Sequence, residues 1–133
     1  SDLEKIRILY DYVMDNMEYV DQGKRYAHSP LGFLLYGEGV CQAYAVSLHM
    51  LFERVGLESR FIVGRILDVE PELSGHAWNM VKLEGSWYHL DATWDDDADH
   101  PDGYYFLKSD DYMKMSREWA QKYYEKAPES YVY

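Results

Sequence analysis

The chain has 133 residues, 47% of them hydrophobic, which is enough to bury a core as one domain and excludes a disordered segment. Its 24 acidic residues outnumber 13 basic ones, for a net charge of −11, so it repels phosphate backbones and anionic lipid and argues against nucleic-acid or electrostatic membrane docking. No apolar run approaches the ~20 residues that a membrane span needs.

In chain order, Leu3, Ile6, Leu9, Val13 and Met17 recur at three- and four-residue spacing. They predict a helix over 2–18 with Asp2 as its cap. Glycines and a proline then punctuate 20–39, with a short helical turn at 31–36. A second helix is predicted over 41–55, with Ala45, Leu48, Leu51 or Phe52, and Val55 on its apolar face and Gly56 as a left-handed stop. The period then changes to two. Strands are predicted at 59–68, 75–84 and 86–92, the last two joined by a tight turn at Gly85 with Glu84 or Ser86. Residues 104–107 read as a short strand. Ser109 reads as the cap of a helix over 110–126, ending before Pro128. Helices first and then a strand meander predict an α+β fold with an antiparallel sheet.

Cys41 is the one cysteine, so it has no internal disulfide partner. It stands at the predicted start of a helix, where free N–H groups and partial positive charge favour a thiolate. His76 opens one strand of the predicted hairpin and Asp91 closes the next. The turn falls midway between them, which predicts that the two side chains lie nearly opposite on one face. A thiol, an imidazole and a carboxylate in that order are the groups needed to make, orient and balance a thiolate nucleophile. Trp78 and Trp94 are expected to pack around the imidazole and exclude water. His89 shares the Asp91 face and is a rival base, with a sheet-surface histidine as the plainer reading. His28 and His49 have no partner that the pattern identifies.

Three stretches carry a family resemblance: GVCQAYAVSLHMLFERVGLESRFIVGRI, GHAWNMV and GSWYHLDATWDD, over residues 39–96, with a weaker YYFLKSD extending it to about 110. In these the chain resembles the transglutaminase-like superfamily, cousins of papain-type cysteine proteases, in its bacterial form. The resemblance implies a nucleophile helix packed on an antiparallel sheet with flanking helices, in one domain over 1–133. It maps the catalytic cysteine onto Cys41, the histidine of HAW onto His76 and the aspartate of DxTW onto Asp91. An oxyanion hole is also required. The Cys41 backbone N–H is its natural first donor, and Tyr19 and Gln42 are weak candidates for a second.

The implied chemistry is attack on an amide carbonyl through a thioester, resolved by water or by an amine. Hydrolysis is favoured, since water needs no second binding site. Substrates would be protein, peptide or peptidoglycan-type. The 14 Tyr and 4 Trp also suit a non-catalytic peptide- or glycan-binding module, or a purely structural surface domain. No cofactor is called for. The acidic stretch 95–103 places Asp95, Asp97 and Asp99 as an EF-hand loop would, but His100 and Phe106 stand where glycine and glutamate are needed. A single cysteine without HExxH lacks the usual zinc set. Ser1-Asp2-Leu3-Glu4 opens a charged amphipathic stretch rather than a signal-peptide pattern. An excised domain of a longer protein would look the same, so the compartment stays open, with export favoured for a piece of a longer bacterial protein.

Overall fold

The computed structural model describes residues 1–19, 38–96 and 104–132. Helix α1 spans Asp2–Asn16. Its cap is Ser1 rather than the expected Asp2: the Ser1 hydroxyl accepts from the Glu4 N–H at 3.3 Å, and the Glu4 carboxylate reaches back to the Ser1 nitrogen. Only Ser1 has a glutamate at the third helical position, which completes a reciprocal capping box. Ile6, Tyr10 and Val13 are fully buried, while Leu3 and Leu9 lie partly buried at the margin. A short strand β1 (Glu18–Tyr19) then pairs in parallel with β2 (Glu38–Gly39). The expected turn at 31–36 lies outside the described residues.

Helix α2 (Cys41–Arg54) starts abruptly from Val40, whose backbone is extended. It buries Ala45, Leu48 and Phe52, as the spacing predicts, but Val55 is left 38% exposed past its end. Gly56 takes φ 83°, the left-handed stop that a glycine accepts without strain.

Strands β3 (Ser59–Ile66), β4 (Gly75–Leu83), β5 (Ser86–Leu90) and β6 (Arg117–Trp119) form one antiparallel sheet in the order β5-β4-β3-β6. Glu84 and Gly85, both at positive φ (53° and 83°), make the two-residue turn between β4 and β5. This turn sets a register that differs from the sequence expectation. Leu83 pairs with Ser86 and Asn79 with Leu90, so the position facing Asp91 is Trp78, and His76 is a diagonal neighbour. The difference is two residues, an even step, so both side chains stay on one face.

Two expectations for the C-terminal third are overturned. Residues 104–107 are turns and bends, and the ladder contact falls at Lys108, bridged to His89 by a pair of 2.8 Å hydrogen bonds. The helix expected over 110–126 stops after one turn, α4 (Asp110–Lys114). The chain then enters β6 and a 3-10 turn at Gln121–Tyr123. The open edge of β3 offers Gly64–Ile66 as partners to Arg117–Trp119, and these backbone bonds together with burial of Arg117 outweigh local helical preference.

Buried side chains gather in two layers. One holds α1, α2, Val81, Leu83, Leu90, Phe106 and Leu107. The other holds Ile62, Trp78, Met80, Tyr105, Met113 and Ala127. Gly64 is the tight point between β6 and this second layer. A Cβ there would lie 2.4 Å from the Glu118 carbonyl and 2.7 Å from the Trp78 ring, so only glycine lets β6 approach the ring this closely. Helices packed against an antiparallel sheet make this an α+β fold, as expected.

Candidate active site

Cys41 is the first residue of α2 and remains partly exposed. At a helix start its backbone N–H has no intrahelical acceptor. Its sulfur acts on His76 through charge and hydrogen bonding, which raises the imidazole pKa. His76, on β4, is 7% exposed, and its Nε2 lies 2.6 Å from Asp91 Oδ2. With Nε2 engaged there, Nδ1 is the nitrogen left for the thiol. Trp78 stacks on the His76 ring at 5.9 Å between centroids and Trp94 tilts over it at 5.8 Å, which keeps water from most of the imidazole.

Asp91 divides its two oxygens. Oδ1 caps the short helix α3 (Ala92–Asp95), accepting from the Trp94 N–H at 3.2 Å. Oδ2 accepts from His76 and also from Arg117 Nη1 at 2.5 Å. Helix capping and imidazole holding thus belong to different atoms of one carboxylate.

Electrostatics follow from this packing. Burial is the largest influence on His76 and pulls its pKa down, but the charge and hydrogen bond of Asp91 and the Cys41 sulfur outweigh it and raise the value to about 9. Burial likewise opposes ionisation of Asp91, yet His76 and then Arg117 bring it down to about 2. At neutral pH the pair is therefore imidazolium and carboxylate, and Nε2–H donates to Oδ2.

His89 shows the opposite outcome. It is fully buried, not a sheet-surface residue, because β5 is covered on this face by α4 and Trp119. Its Nδ1 accepts from Trp78 Nε1 at 3.0 Å, and Nε2 lies 2.6 Å from Asp110 Oδ1. Burial, the leading cause, and Arg117 lower its pKa against the pull of Asp110. The ring is held neutral with both nitrogens occupied, so it has no free position from which to act as a base. His49, without an evident partner in the sequence, has its Nδ1 2.5 Å from the Ser59 hydroxyl. His28 lies outside the described residues.

The model of a family described as the transglutaminase-like superfamily matches residues 1–92, more than half of the chain and inclusive of Cys41, His76 and Asp91. This chain belongs to the transglutaminase-like superfamily. Among curated proteins it is 29% identical over 105 residues to the kyphoscoliosis peptidase of Mus musculus and 28% identical to that of Homo sapiens. The match covers 71% of this chain but 16% of each relative. Among solved structures, one described as a candidate cysteine protease from Cytophaga hutchinsonii aligns with a TM-score of 0.59 at 23% identity, over 68% of this chain and 31% of that one. Another, described as a TGase, aligns with a TM-score of 0.55 at 17% identity, over 66% and 25%. These structures bear on the fold.

The remaining candidates separate around this superfamily core. Trp78 commits its one N–H to His89 and is 1% exposed, so it supports the imidazole and is no oxyanion donor. Trp94 stays half-buried beside His76. Gln42 is exposed on the first turn of α2. The Tyr19 backbone pairs with Gly39, two residues before Cys41, and its side chain lies outside the described atoms. Among the described residues no His, Cys, Asp and Glu groups are arranged to hold a metal, and residues 97–103 of the acidic stretch 95–103 lie outside them.

Two residues at the site, Arg117 and Tyr10, escape sequence reading. Arg117 reaches Asp91 from β6. Tyr10, from α1, donates to buried Asp95 Oδ2 at 2.5 Å, and Asp95 Oδ1 accepts from the Tyr105 N–H at 2.8 Å. Burial, then Asp95, hold the Tyr10 phenol well above its ordinary range, so it stays a donor. Tyr10 stands beside Leu9, outside the set of apolar positions whose spacing marks α1. The Arg117-Glu118-Trp119 alternation was the only signal of β6, and three residues are too few to outweigh a helical pattern.

Proposed function

We propose that this domain is a cysteine-dependent enzyme acting on amide bonds, with Cys41 as nucleophile, His76 as proton carrier and Asp91 as the group that orients and balances His76. The superfamily as a whole supports a cysteine-dependent amide-bond reaction. The observation that carries the finer reading is His76 itself: one buried imidazolium in contact with both the Asp91 carboxylate and the Cys41 thiol.

In this reading Cys41 starts as the thiolate partner of the His76 imidazolium; its Sγ bonds to the substrate carbonyl carbon, and the oxygen takes the electron pair of the C=O π bond. The Cys41 N–H stabilises that oxyanion. His76 Nδ1–H passes its proton to the leaving nitrogen as the C–N bond breaks, leaving a thioester. His76, now neutral, takes a proton from water as the water oxygen bonds to the acyl carbon, and the thiolate leaves. Asp91 remains ionised throughout. An amine in place of water would make the same intermediate a transamidation. We favour water, since hydrolysis needs no second binding site. Proteins, peptides and peptidoglycan fragments are the substrate classes proposed.

The test is a mass-spectrometric screen of peptide and peptidoglycan-fragment pools, with and without amine donors, using the wild type and Cys41→Ala. Release of acid or ammonia that vanishes in Cys41→Ala is the expected result. Cys41-dependent amine incorporation would replace hydrolysis by transamidation. Retention of peptides or glycans without turnover, equal in both proteins, would overturn the enzyme reading in favour of a binding module.

A further inference from the structure

Arg117 is 1% exposed, and its guanidinium lies 4.9 Å from the Trp78 ring centroid, 4.6 Å from Trp94 and 5.2 Å from Tyr105. A charge so enclosed is expensive to bury, and a hydrophobic residue of similar volume would hold β6 against these rings at lower cost. Its placement is specific. Nη1 donates to Asp91 Oδ2, the same oxygen that accepts from His76, while Nε reaches the Ser116 hydroxyl at 3.2 Å. Nη2 has no hydrogen-bond partner among the described residues. Residue 117 also lies past the stretch matched by the family model, 1–92.

We propose that Arg117 is a positioning residue for the reactive pair, fixing the Asp91 carboxylate against His76 and supplying the cation that lets a Cys41 thiolate sit beside them without excess buried charge. With Oδ1 held by the Trp94 N–H and Oδ2 held from both β4 and β6, the carboxylate cannot rotate away from the imidazole. Asp91 and an imidazolium at His76 cancel, and Arg117 is the cation left to offset a thiolate, while the second buried carboxylate, Asp95, is met by the Tyr10 hydroxyl and the Tyr105 N–H. Without Arg117 that thiolate is an unbalanced negative charge in a mostly buried cluster.

Charged and titratable groups enter the cluster from every side: Cys41 from α2, His76 from β4, Asp91 and Asp95 around α3, and Tyr105 from the following turn. His89 of β5, with Asp110 of α4 behind it, completes the surroundings. On β6 itself Glu118 faces outward to Arg65. Of these, only Asp91 touches the Arg117 head group in an ion pair among the described residues.

The proposal rests on the thiol-enzyme reading for its meaning but not for its test, which needs no substrate. Cys41 alkylation by iodoacetamide is followed against pH, with thermal melts, in wild type, Arg117→Met and Arg117→Lys. In Arg117→Met the alkylation profile should move to higher pH by about one unit, a tenfold loss of rate on its acid side. Arg117→Lys should restore most of that shift, because the cation returns. A role confined to packing would lower the melting temperature in both variants and leave the midpoint in place, which overturns the proposal. Should Arg117→Met not fold, the wild type decides: the Arg117 guanidinium nitrogen resonances should move with pH at the midpoint of the His76 ring, and flat resonances there overturn it. Failure of the enzyme reading shows separately, as a wild-type profile rising only near the ~8.5 of a free thiol.

Discussion

Asp91 carries more than a triad reading assigns it. Its one carboxylate accepts from His76, Arg117 and the Trp94 N–H. Asp91→Asn would ordinarily be expected to preserve the fold and remove activity. Here it also strands a cation with 0% side-chain exposure, and uncovering one partner of a buried ion pair destabilises by about 3–5 kcal/mol. The expected outcome is a folded but much weaker protein, with turnover down ~10⁴-fold, as in the serine-protease triad. Melting curves and activity measured well below the lowered midpoint separate the two effects. Asp91→Asn with wild-type stability would contradict the pairing.

The same pair sets a pH dependence of stability. His76 has a folded pKa raised from 6.5 to about 9, so its stabilisation is complete below about 6.5 and is lost as pH rises through about 9. Asp91 is lowered from 3.8 to about 2, so its contribution is present above about 3.8 and is lost as pH falls through about 2. Both are in force between about pH 4 and 6.5. These shifts are one ion pair seen from its two ends and are not summed, so a single loss on the order of 3 kcal/mol, set by the His76 shift, is expected between pH 6.5 and 9. Urea melts across that range measure it, and His76→Gln should flatten the slope.

At the scale of elements, the site is where the start of one helix, the start of one strand and the end of another converge. The edge strand β6 closes it. Gly64 permits that closure, with the Glu118 carbonyl and the Trp78 ring at sub-van-der-Waals distance from any added Cβ. Gly64→Ala must push back either β6 or the ring. It is expected to cost about 1–3 kcal/mol as an overpacking change. Since Trp78 stacks on His76 and β6 carries Arg117, it should also slow Cys41 alkylation at neutral pH, while an alanine at Gly75, where a Cβ meets nothing within 4 Å, should not. Equal alkylation rates in both alanine variants would show that β6 is not coupled to the thiol.

For the whole molecule, the charge of −11 is a self-repulsion that folding must hold together. Surface pairs such as Arg65–Glu118 and Lys82–Glu58 are exposed and each contributes little. Raising sodium chloride from about 20 to 200 mM shortens the Debye length to below 10 Å and screens this repulsion. The melting temperature should rise modestly with salt, and a fall would mean that the exposed ion pairs outweigh the net repulsion. The described residues contain no helix long and apolar enough to cross a membrane.

What the chain by itself determined is whatever depends on local pattern. Helix α2 with Cys41 at its start, the Gly56 stop and the β4–β5 hairpin all follow from period and turn chemistry. His76 and Asp91 share a face because alternation survives an even register difference: the tight turn settles one residue past their midpoint, which moves the pairing by two. What only tertiary structure decided is where distant segments satisfy one another. Residues 117–119 leave a helical pattern because an open strand edge and a buried carboxylate lie waiting for them. His76 and His89 separate into cation and neutral ring because one faces a deeply buried aspartate with its other nitrogen toward the thiol, and the other accepts from Trp78. Tyr10 reaches Asp95 across 85 residues of sequence. Such pairings have no period to read, since burial sets their energy and burial belongs to the folded whole.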